Sequence, residues 1–243
     1  MDLGRPPEFA RDGTPPPVTS DLVEIGRWDL NQTVFSMAER HSSLLKLAEK
    51  VEGKNSLSVG RALAALLIAL PGTSQQRQVI ERLLGATGAS HLSWEKVGPW
   101  WLHTIYTQFW RREDPTTQLP PGGTAEIAVT RRIGLSQEHT REVATSLGLT
   151  TKVESPAALS GQLSTKAATK VALSEQQEIT RKVVLSNPSP NMYRRIALWH
   201  IVHRLSLIAS PKSDPETELV CQVTEFVTSD VTNATSVDIP PAK

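Results

Sequence analysis

The sequence predicts an α+β fold: a small N-terminal helical bundle followed by a mostly antiparallel sheet domain with long hairpins and at least one helix. Three observations predict it. Apolar residues recur at spacings of three and four between Thr33 and Thr87, a Pro/Gly cluster occupies Asp114 to Gly123, and beyond that cluster the period changes to two. The corresponding division is a Pro-rich flexible arm over 1–29, a helical domain over 30–113, a linker over 114–123, a β-rich domain over 124–228 and a flexible acidic tail over 229–243.

The arm is predicted from five prolines within its first 17 residues, a composition that favours extended, solvated chain. The first helix follows Val34, Met37, Leu44, Leu45, Leu47 and Val51, with Gly53 as its stop. Val59 to Leu70 is apolar nearly all round and ends at Pro71-Gly72, the pattern of a central buried helix. Ser74 is placed to cap a third helix through Val79, Ile80, Leu83 and Leu84. Six of the twelve aromatic residues then fall between Trp94 and Trp110. Their spacing, with Pro99 at a first helical position, predicts a helix, although the same residue types also favour strands. Trp100, Trp101, Tyr106, Phe109 and Trp110 are read as an aromatic seam, since large aromatics mark the middle of interfaces.

Beyond the linker, Ala125, Ile127, Val129, Arg131 and Ile133 alternate with more polar neighbours, which predicts a half-buried strand. Ser136 caps a short helix reaching Leu147, with Gly148 at its end. From Leu159 to Leu173 the apolar residues fit a strand and a helix almost equally, and periodicity leaves the choice open. A strand reading makes Glu175 to Glu178 a reversal and Ile179 to Leu185 a return strand. Tyr193 to Ile208 is apolar on both faces, as a covered central strand is, and Leu219 to Val227 supplies a last strand containing Cys221.

The composition excludes several classes. A chain of 243 residues can bury a core without staples, and a single cysteine rules out an intrachain disulfide framework and a multi-Cys zinc site. No run approaches the roughly 18 apolar residues of a membrane helix, and no leader-like apolar stretch follows Met1, so a cytoplasmic protein is predicted. No nucleophile elbow, phosphate loop, dinucleotide glycine pattern or His-Glu-x-x-His motif is present, which predicts a non-enzyme without catalytic residues, cofactor or metal. His200 and His203 would share a helix face as metal ligands, but on a strand they face opposite ways, and core or edge histidines account for them better. Cys221, on an apolar strand, reads as a small hydrophobe.

Charge is uneven along the chain. Segments 1–29, 30–123, 124–209 and 210–243 carry −3, +3, +5 and −4, so a basic body lies between acidic ends. Within it the pairs Arg131-Arg132, Arg181-Lys182 and Arg194-Arg195 recur near strand ends as candidates for binding a partner or an anion. Lys and Arg that block strand edges would produce the same pattern. The function predicted first is assembly or interaction with itself or a protein partner through the sheet half. The alternatives are a membrane-acting, pore-forming-like protein using amphipathic β-hairpins on an anionic surface, and a nucleic-acid-binding structural protein using the basic body.

Overall fold

A computed structural model describes residues 3–33, 100–149, 155–211 and 219–241. In chain order the elements are β1 (Val23–Thr33), β2 (Trp100–Arg112), β3 (Thr117–Leu119), β4 (Thr124–Ile133), α1 (Gln137–Ser146), α2 (Pro156–Ala167), β5 (Gln177–Ser186), β6 (Tyr193–Pro211), β7 (Leu219–Phe226) and β8 (Asn233–Ile239). Strands take half of the described residues and two helices only 14%, with no N-terminal helical bundle among them, so the fold is sheet-dominated rather than α+β. The helices expected between Thr33 and Thr87 fall on 34–99, outside the described residues. The segments flanking them are strands that pair antiparallel: β1, most of which was expected in the flexible arm, and β2, which was expected inside the helical domain.

β6 organises the molecule. Its 19 residues are long enough to serve two sets of neighbours: β2 and β7 flank its C-terminal part, β3 and β8 its N-terminal part. With β1 on the far side of β2, these strands make one six-stranded sheet. β6 is apolar on both faces because both are covered. One face carries Trp199 and Leu205 and the other Leu198 and Val202, all at most 5% exposed. Cross-strand partners share a face, so the register assigns the rest. Tyr106 and Leu205 pack with Phe226 against Val143 of α1 and Leu159 and Leu163 of α2. On the same face, nearer the start of β6, Trp199, Ala197 and Trp110 are covered by Leu3 and Phe9 of the N-terminal arm.

The arm is therefore docked along the sheet. Its carbonyls accept from Thr235 at Pro7, from Arg195 at Gly13 and from Arg112 at Pro16, and Thr19 bridges to Arg111. At the other end Asn233 to Ile239, expected in a flexible tail, pairs with β6 from Tyr193 to Trp199. The Pro-rich composition favours an extended backbone, and an extended backbone also lies well against a sheet.

The helix from Ser136 forms where the sequence places it. The Ser136 hydroxyl accepts from His139 N at 3.1 Å. In the open segment, Ser155 caps and Pro156 starts α2, and Leu159, Leu163 and Ala167 form its buried stripe. A helix there removes the reversal expected at Glu175 to Glu178; β5 pairs instead with β4, over ten residue pairs from Thr124↔Ser186 to Ile133↔Gln177. The aromatic segment, expected as a helix, is strand β2. Its β-branched and aromatic residues fit a sheet, and pairing with β1 and β6 outweighs the four-residue spacing.

Candidate functional site

β4 and β5 form a separate two-stranded sheet, hydrogen-bonded to no strand of the larger one. Burial along β4 alternates strictly, so odd-numbered residues face inward and even-numbered ones outward. Val129 and Leu185, with Ala125, Ile127 and Val183 beside them, pack on Leu119 of β3 and on Ile196 and Leu198 of β6. The hairpin thus lies on the face of β6 opposite the helices and the arm. Its outer face is polar: Thr130 and Thr180 hydroxyls meet at 2.8 Å, Lys182 Nζ lies 2.7 Å from Glu126, and Arg132 Nε lies 3.5 Å from Glu178. Val184 is the one large apolar side chain on that face, at 72% exposed. Where the hairpin meets the helical connection, Gly134 has φ +88°, and an added Cβ would strike the backbone oxygens of Ser174 and Glu175. Only glycine fits that close approach.

The predicted basic residues fall on two parts of the fold. Arg131, Arg132, Arg181 and Lys182 lie on the hairpin, whereas Arg194 and Arg195 lie on β6 between β3 and β8. Each has an acceptor within the chain. Arg194 makes a two-pronged pair with Asp238, at 2.7 and 3.1 Å, and Arg195 donates to Gly13 O and Gln118 Oε1. The Asp238 contact lowers that carboxyl's pKa.

Arg131 is the exception in burial, at 8% exposed. Its Nε donates to Glu113 Oε1 at 2.7 Å and its Nη1 to the Asp230 and Val231 carbonyls at 3.2 and 3.1 Å. His200 Nδ1 approaches the same Glu113 oxygen to 2.8 Å, outside good hydrogen-bond alignment. Burial pushes the Glu113 carboxyl up, but the two bases facing it more than reverse that and hold it down at about 2. On the neighbouring strand, Arg181 pairs with Asp230.

His203 faces the other side of β6, as strand geometry requires. It stacks between Tyr106 and Phe226, with ring centroids 5.9 and 5.3 Å away. Its Nδ1 lies 2.6 Å from the Tyr106 hydroxyl and its Nε2 2.9 Å from that of Thr228. Burial lowers the His203 pKa to about 4 and raises that of Tyr106 to about 12. Among the described residues, no three His, Cys, Asp or Glu side chains gather as a metal site would require. Alternation splits the aromatic seam. Tyr106 and Trp110 take one face of β2 and Trp101 and Phe109 the other, while Trp100 stands at its first position. Tyr106, Phe109 and Trp110 are buried and Trp101 is 37% exposed. Arg111 and Arg204 lie over the Phe109 ring.

Sequence reasoning missed Glu113, His200 and Asp230 as the acceptors and neighbours of the inner-face cations. The available signal was Arg131 itself, a charge in phase with Ala125, Ile127, Val129 and Ile133, which demands a buried partner. No helix of the described residues is long and apolar enough to cross a membrane. No protein-family model and no curated protein matches the sequence. Among solved structures, the chain is similar to that titled "Crystal structure of Cry35Ab1", with a TM-score of 0.51 and 11% identity, covering 97% of this chain and 50% of that one. The chain thus spans about half the length of Cry35Ab1, and at this identity the likeness is one of fold, a sheet-dominated one.

Proposed function

We propose that the chain is a non-enzymatic protein that assembles with further copies of itself at a membrane surface and presents the β4–β5 hairpin to lipid. The observation that carries this reading is the hairpin: two ten-residue strands with one polar face and one mostly apolar face interrupted by Arg131 and Arg181, hydrogen-bonded to no third strand among the described residues. A β-strand crosses a bilayer in about 9 to 11 residues and needs that alternation. A lone hairpin has two open edges, and unpaired backbone groups are not tolerated in hydrocarbon. Pairing with hairpins of other copies closes those edges, which ties membrane action to self-assembly. For nucleic acid, the basic pairs offer little, because each of their cations already has an acceptor within the chain.

The test uses phosphatidylcholine vesicles containing phosphatidylserine and a trapped dye. The expected result is dye release accompanied by cross-linkable oligomers. A fluorophore on Ile127→Cys or Val183→Cys should be quenched by nitroxide-labelled lipid, and one on Ala128→Cys or Lys182→Cys should not. Intact vesicles, or quenching without alternation, would overturn the reading.

A further inference from the structure

We infer that Arg131 and Arg181 form a two-point clamp that holds the hairpin on the body, and that exposing its apolar face requires breaking Arg131–Glu113 and Arg181–Asp230. The inference rests on the proposal that this hairpin is the part that meets lipid.

Both arginines stand on the inner, apolar face, at neighbouring positions: Arg131 is opposite Ile179, and Arg181 is opposite Val129. An apolar face is satisfied equally by Leu119, Ile196 and Leu198 or by lipid tails, so packing alone barely distinguishes a docked hairpin from an inserted one. The cations do distinguish them, because their acceptors belong to the body. Glu113 directly follows β2, and Asp230 lies between β7 and β8. The segment at Asp230 and Val231 is gripped from both strands, by Arg131 through its carbonyls and by Arg181 through its carboxylate. The hairpin's other ion pairs, Arg132–Glu178 and Lys182–Glu126, join β4 to β5 and travel with it. Release of the hairpin as a unit therefore leaves those pairs intact and breaks the clamp, the apolar contact and, at the end of β4, the bond from Gly134 N to the Val227 carbonyl.

The experiment combines hydrogen exchange with dye release from the same vesicles, on Glu113→Gln, Arg181→Gln and Asp230→Asn. The control is Arg132→Gln, which cuts a pair internal to the hairpin. The Arg181 side chain is 64% exposed, so Arg181→Gln and Asp230→Asn carry the test if Glu113→Gln fails to fold. Exchange in 124–133 and 177–186 should rise about fivefold for Arg181→Gln and about a hundredfold for Glu113→Gln. Peptides from 193–211 should be unchanged, and dye release should quicken in the same order. Equal acceleration in 193–211, an unchanged hairpin, or a control that matches the clamp variants would overturn the clamp. Faster hairpin exchange with no dye release from any variant would uphold the clamp and overturn the membrane proposal instead.

Discussion

His203 is neutral in the fold because it is buried between two aromatic rings, with hydroxyls at both ring nitrogens. Its pKa falls from 6.5 to about 4, so the unfolded chain binds its proton more readily than the native one. The stability this contributes is complete above 6.5 and is lost as pH falls toward 4, a loss of about 3 kcal/mol at 1.36 kcal/mol per unit. Glu113 extends the loss: its contribution is present above its ordinary 4.5 and disappears as pH drops toward 2. Urea midpoints measured against pH should therefore decline in two stages. His203→Gln should flatten the upper stage and leave the lower, and a variant that keeps the wild-type slope between 6.5 and 4 would refute the assignment.

At the scale of elements, α2 shows how two periods compete for one segment. Leu159, Leu163 and Ala167 serve a helix, while the alternation from Ser160 to Lys170 would serve a strand, and local sequence does not separate them. The Ser155 cap and the cover that α2 gives Tyr106 and Leu205 decide for the helix. Gly161 weakens it, and a Cβ there would meet nothing within 4 Å. Gly161→Ala should raise stability by about 1 kcal/mol and Ser155→Ala should lower it by a similar amount, both read from denaturant midpoints. A neutral Gly161→Ala would mean that the segment is not helical in solution.

For the whole molecule, the arm and the last strand act as straps. Leu3 and Phe9 cover Trp110 and Trp199, which are 5% and 0% exposed. Removing residues 1–12 should shift tryptophan emission to the red and lower the melting temperature, because two large side chains lose their cover. Unchanged emission would show that the arm contributes no burial. Residues 114–123 are also tied down: β3 pairs with β6, and Asn187 Nδ2 donates to the Leu119 and Pro120 carbonyls at 3.3 and 2.8 Å. Proteolysis there should be slow, and rapid cleavage between Pro115 and Gly123 would contradict this bonding.

By itself the sequence determined the features with a local physical cause. β4 was legible from a period of two, β6 from apolar residues on both faces, and α1 from the Ser136 cap, because alternation, burial and capping act between neighbours in the chain. The basic residues were legible as charges but not as parts of a clamp, since Glu113 is 18 residues from Arg131 and Asp230 about a hundred. Tertiary structure alone decided that the aromatic segment is a strand, that β4 pairs with β5 across two helices, and that both predicted tails lie against the sheet. Each depends on what covers or pairs with an element from a distance, and the long-range burial of apolar surface and backbone hydrogen-bonding groups overrides local preference.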